Sequence, residues 1–103
     1  MKQAKFSIGQ CIYHRLFDYR GVIIDVDPEF LGEDEWYEQV ARSRPPRNEP
    51  WYHVLVHDAD SRTYVAEQNL IEDDTCEPVN NPMLERYFVE YDGNSYSTGR
   101  HVN

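Results

Sequence analysis

The chain's architecture is most constrained by a run of β-formers at residues 51–58, WYHVLVHD, that turns back on itself within a few residues. Ala59-Asp60-Ser61-Arg62 reads as a tight turn, and Thr63-Tyr64-Val65-Ala66-Glu67 as the returning strand of a hairpin. A second pair precedes it. Residues 10–17, QCIYHRLF, alternate loosely, residues 18–21 supply a turn, and residues 21–27, GVIIDVD, form the partner strand. Gly21 is expected to take the positive φ of that turn. Val22, Ile24 and Val26 should share one face of the strand, and Ile23, Asp25 and Asp27 the other. Pro28 ends the run, because proline cannot donate to a central ladder.

Between the hairpins the period changes. Residues 33–42 place Trp36 and Val40 one helical turn apart, with Tyr37 beside them, acids in the first turn and Arg42 in the last. That predicts one short amphipathic helix. Residues 43–50, SRPPRNEP, then read as an extended, exposed polar loop. After the second hairpin, residues 68–71 suit a single helical turn, and residues 83–89 a short helical turn entering a last strand. The expected domain spans residues 1–92, and residues 93–103, lacking apolar periodicity, read as a flexible polar tail. Short strands, tight turns and one helical insertion predict a mainly β fold, a small, partly open β-barrel.

A chain of 103 residues should bury about two-thirds of its unfolded surface, enough for one core without staples. Apolar runs such as Val22-Ile23-Ile24 are far too short to span a membrane, and the first ten residues hold no apolar leader segment. Cys11 and Cys76 form no CxxC motif and are expected to stay reduced in a cytoplasmic protein.

Chemistry is sparse. His53 and His57 have HxxxH spacing, but four residues of strand span about 13 Å, too far for one ion to bridge. No metal site and no cofactor are expected. Asp25 and Asp27 read as part of a solvated acidic face. No nucleophile elbow, phosphate-binding loop, dinucleotide turn or calcium loop occurs, so a non-enzyme is expected.

Charge is the informative quantity. The net charge is −9, which weakens any generic affinity for nucleic acid or anionic lipid. It is segregated, however: residues 25–38 hold seven acids and no base, while residues 1–24 carry a net +3. Lys5, Arg15, Arg20, Arg44 and Arg47 are therefore candidate contacts for DNA phosphates or a protein partner. Trp36, Tyr37, Trp51 and Tyr52 are candidate partner-contact aromatics, with Tyr13 or Tyr52 placed to meet a base methyl group if DNA is bound.

Several segments, taken in order, resemble the HspQ heat-shock family, also called the YccV-like or hemimethylated DNA-binding family. They are Lys5-Phe6-Ser7-Ile8-Gly9-Gln10, Arg15-Leu16-Phe17, Tyr19-Arg20-Gly21-Val22-Ile23, Asp25-Val26-Asp27-Pro28-Glu29-Phe30, Glu35-Trp36-Tyr37, Arg44-Pro45-Pro46, Pro50-Trp51-Tyr52-His53-Val54-Leu55-Val56 and Thr63-Tyr64-Val65-Ala66-Glu67-Gln68-Asn69-Leu70. The resemblance implies an SH3-like barrel that self-associates, as a dimer or trimer. It also implies a cytoplasmic stress protein that promotes degradation of certain denatured proteins, among them the replication initiator DnaA. Its other implication is recognition of hemimethylated DNA near a replication origin. No catalytic residue comes with it.

Overall fold

In the computed structural model, which describes residues 3–40, 44–75 and 77–98, the first hairpin turns at Asp18 rather than at Gly21. Strands β1 (Cys11–His14) and β2 (Tyr19–Asp27) flank residues 15–18, and Asp18 takes a φ of 58°. Aspartate is among the few residues that tolerate this region. The Asp18 amide donates to the His14 carbonyl at 2.9 Å. Gly21 lies inside β2 opposite Ile12 and Val56, and its role is close approach. A Cβ there would sit 2.5 Å from the Leu55 carbonyl oxygen and 2.6 Å from Val54 Cγ1.

The remaining elements are α1 (Asp34–Val40), β3 (Trp51–Val56), β4 (Arg62–Ala66), a 3-10 turn at Glu67–Asn69, β5 (Leu70–Glu72), α2 (Leu84–Tyr87), β6 (Glu90–Tyr91) and β7 (Tyr96–Ser97). Five strands form one antiparallel sheet in the order β4-β3-β2-β1-β5, and β6 and β7 form a separate hairpin. β4 and β5 are the sheet's two edges, so the structure is mainly β and open on one side. Among the described residues no helix is long and apolar enough to cross a membrane.

β2 departs from the simple alternation. Ile23 pairs with Val54 and Asp25 with His53, so a bulge at Ile24 resets the faces. Val22 and Ile24 pack with Cys11, Leu55, Val79 and Phe88, as expected for one face. Val26 instead joins Ile23 against Ile12, Tyr52, Val54, Val65 and Leu70. The extra residue flips everything after it, a shift that periodicity alone does not reveal.

A third cluster gathers Phe30, Tyr37, Trp51 and Ala66, with Trp36 and Tyr64 against its margin. Burying Trp51, only 1% exposed, contributes roughly 5 kcal/mol gross at about 25 cal/mol per Å². This cluster also reshapes the proline-rich loop. Pro45 and Pro50 are fully buried rather than exposed, because the Tyr37 hydroxyl donates to the Pro45 carbonyl at 2.7 Å and Trp51 Nε1 to the Pro46 carbonyl at 3.1 Å. The helix ending expected at Arg42 lies outside the described residues, as does Cys76.

The chain beyond residue 92 also differs from expectation. Tyr96–Ser97 forms β7, and the Tyr96 amide donates to the Gly9 carbonyl at 2.8 Å. Gly9, at φ 93°, has no Cβ because one would overlap the Tyr96 carbonyl. Tyr96 packs on the cluster containing Phe88, which ties residues 93–98 to the domain; residues 99–103 lie outside the described part.

Candidate functional site

The arginines proposed as phosphate contacts are engaged within the protein. Arg20 Nε meets Asp73 Oδ2 at 2.8 Å, with the side chains 15% and 4% exposed, and its Nη2 also reaches the Glu77 carbonyl. Burial pushes the Asp73 carboxyl up, but the bonds from Arg20 and from the Thr75 amide and hydroxyl together hold it below the usual carboxylate value. Arg15 Nε donates to the Gln68 carbonyl at 2.7 Å. Arg44 Nη1 is held by both carboxylate oxygens of Glu38, at 3.0 and 2.5 Å. Arg47 pairs with Asp34 and lies 5.0 and 4.8 Å from the ring centres of Phe30 and Tyr37. Lys5 is exposed, and its backbone amide donates to Glu67 Oε1 at 2.8 Å. Arg15 is thus tied to the 3-10 turn, Arg20 to the chain after β5, and Arg44 and Arg47 to α1; they do not converge on one basic face.

The candidate aromatics divide differently. Tyr37, Trp51 and Tyr52 are buried at 8%, 1% and 0% exposure, so they build the core and only Trp36 is partly open to solvent. Tyr52 is therefore in no position to meet a base methyl. Tyr13 is half-buried and donates to the Asp18 carboxylate.

What these residues do create is a groove of about 730 Å³ along β4. Phe17 and Tyr19 from the first hairpin, Trp36 from α1, His53 from β3, and Tyr64 and Val65 from β4 line it. Leu16 and Phe17, 49% and 65% exposed, stand at it as large apolar groups in water. His14 also lines it: its ring stacks on Phe17 at 4.7 Å, and its Nδ1 accepts the amides of Leu16 and Phe17 at 3.2 and 3.1 Å. Burial lowers the His14 pKa, so the ring stays neutral and remains an acceptor. Local sequence pattern does not reveal this groove, because its walls come from segments far apart in the chain. The apolar pair Leu16-Phe17 in a turn was the available signal.

Negative charge lies behind the wall formed by His53 and Tyr64. The Tyr64 hydroxyl donates to Asp27 Oδ2 at 2.7 Å, and His53 Nε2 lies 3.2 Å from the same oxygen. Burial, and then the bond to Asp27, raise the Tyr64 phenol far above its ordinary value. The bulge brings Asp25 beside them, so that ligand atoms of Asp25, Asp27 and His53 lie within 4.8 Å of one another. His53 therefore groups with two aspartates and not with His57, whose Nε2 is 3.3 Å from Asp58. The trio is the one set among the described residues able to offer three ligand atoms to a cation. Asp27 Oδ2 is already shared between Tyr64 and His53, and the two aspartates supply negative charge behind the groove.

A family model described as hemimethylated DNA-binding protein YccV like matches residues 4–95, nearly the whole chain.

Proposed function

We propose that this chain, which belongs to the YccV-like family of hemimethylated DNA-binding proteins, acts as a non-enzymatic stress-response accessory that captures denatured polypeptides and promotes their degradation by cytoplasmic proteases. The observation that carries the reading is the open groove flanked by exposed Leu16 and Phe17. Contiguous apolar surface exposed on a small soluble domain marks an interaction site, and unfolded chains are the partners richest in accessible apolar side chains. A net charge of −9 favours basic partners and speeds their encounter. Adding the purified protein to an ATP-dependent protease with a denatured client should accelerate loss of the client. An unchanged degradation rate would remove this reading.

Binding of hemimethylated DNA is the second reading, favoured by the family's description. Phosphates would have to displace Glu38, Asp34 and Asp73 from Arg44, Arg47 and Arg20, which makes the expected affinity weak and steeply salt-dependent. Gel shifts with fully, half and unmethylated duplexes at two salt concentrations separate the readings: a preference for the half-methylated duplex establishes DNA binding. Self-association into a dimer or trimer is proposed on the unpaired edge at β5, and light scattering measures it.

A further inference from the structure

We infer that the groove takes one extended polypeptide segment as an added strand along the outer edge of β4, with an apolar side chain in the groove and a lysine or arginine beside Asp27. The inference rests on the capture reading above and specifies what is captured and how.

Hydrogen-bond phase shows that the edge is available. The Val56 amide donates to the Ser61 carbonyl and the Glu67 amide to the Pro50 carbonyl, each at 3.1 Å, bracketing the β3–β4 ladder. Hydrogen-bonded pairs alternate in an antiparallel ladder, so Tyr52–Val65 and Val54–Thr63 are the bonded pairs between them. The amides and carbonyls of Arg62 and Tyr64 therefore point away from β3. β4 is the end of the sheet, and among the described residues no backbone group from outside the ladder reaches these four groups. Natural edges are blunted by proline, bulges or a very short strand; β4 has five residues and none of these devices, whereas the opposite edge, β5, has three.

Shape agrees with this. Thr63 and Val65 project from one face of β4, and Arg62, Tyr64 and Ala66 from the other, yet all five line the same groove. The groove thus wraps the strand's edge, the space an added strand occupies. Its apolar walls receive alternate side chains of the incoming segment, while backbone bonds supply sequence-independent affinity, suited to clients of varied sequence.

Charge selects the occupant. Asp27, with Asp25 next to it, lies behind the His53 and Tyr64 wall and has no lysine or arginine partner among the described residues. A second copy of this chain would bring another −9 to the site. A basic, apolar segment of a foreign polypeptide is the complementary ligand.

The test is fluorescence anisotropy with a short labelled peptide alternating lysine with apolar residues. Arg62→Pro removes one outward amide and fills the edge, leaving the ladder's own bonds intact. It should weaken binding about tenfold, the loss expected for one hydrogen bond and its neighbouring contacts. Arg62→Ala, which removes a like charge and a 3.5 Å contact with the Tyr87 hydroxyl but keeps the outward amide, should tighten binding a few-fold. Thermal unfolding of both variants checks that they fold. Equal binding by the two variants overturns strand addition while leaving groove capture standing. Equal binding of a peptide with glutamate in place of lysine overturns the charge assignment. Loss of self-association in Arg62→Pro, seen by light scattering without any peptide binding by the unaltered protein, assigns the edge to a second copy and overturns the inference. Failure of the unaltered protein to bind either peptide or denatured client removes the capture reading itself.

Discussion

The hydroxyl of Tyr52, the second residue of β3, donates to Glu67 Oε1 at 2.5 Å while accepting the Phe6 amide at 3.2 Å. The same carboxylate oxygen accepts the Lys5 amide at 2.8 Å. Through one buried tyrosine and one 9%-exposed glutamate, the N-terminal arm is fastened to the 3-10 turn that ends β4. Burial, reinforced by Glu67, raises the Tyr52 phenol far above its ordinary value, so it remains a donor at any physiological pH.

Tyr52→Phe should therefore destabilise the domain by about 2 kcal/mol, since the Phe6 amide and Glu67 each lose a partner. Denaturant unfolding measures it. A change below about 0.5 kcal/mol would show that water replaces the hydroxyl.

Arg20→Ala should cost about 3 kcal/mol, because Asp73, with its side chain 4% exposed, would be left charged and without its ion-pair partner. Adding Asp73→Asn to that variant should recover part of the loss, and full additivity of the two substitutions would refute the coupling. The pH sign follows from linkage. The folded carboxyl titrates below its unfolded value, so its contribution is present above the ordinary carboxylate range and is lost as pH falls through the folded pKa.

His14, like Asp73, must stay unprotonated in the fold, but as a neutral ring rather than a charged group. Its folded pKa lies below 6.5 through burial, so beneath that pH the unfolded chain binds a proton that the folded chain resists. Stability should fall as pH drops from about 6.5, and this slope should shrink in His14→Gln, which keeps an acceptor but has no proton to gain. An unchanged slope would place the acid sensitivity elsewhere.

Gly21→Ala should cost about 2 kcal/mol, since the new Cβ meets the Leu55 carbonyl, a backbone atom of the neighbouring strand. Thermal unfolding measures it, and an unaltered midpoint would mean that β2 and β3 separate freely.

How much was legible before folding depends on how local each feature is. Both hairpin turns, the short helix near Trp36 and the late helical turn are written locally, because turn chemistry and side-chain period act within a few bonds. The helical turn expected over residues 68–71 is instead a 3-10 turn at Glu67–Asn69 followed by strand β5, which forms only by pairing with the distant β1. The resemblance to the YccV-like family was equally available, since it rests on ordered residues, and the match over residues 4–95 agrees with it.

The sequence alone thus determined that the chain is mainly β, with a charge of −9 and no recognisable catalytic motif. Tertiary structure decided which residues remain for a partner. The bulge at Ile24 moved Val26 to the other face and set Asp25 and Asp27 beside His53. Acids distant in sequence took up Arg20 and Arg47, leaving no basic patch there among the described residues. Phe17, Trp36 and Tyr64, from three separate segments, met at the open edge of β4. Register, ion pairing and groove formation are long-range: each depends on which distant segment is brought alongside, and nothing in local periodicity specifies that.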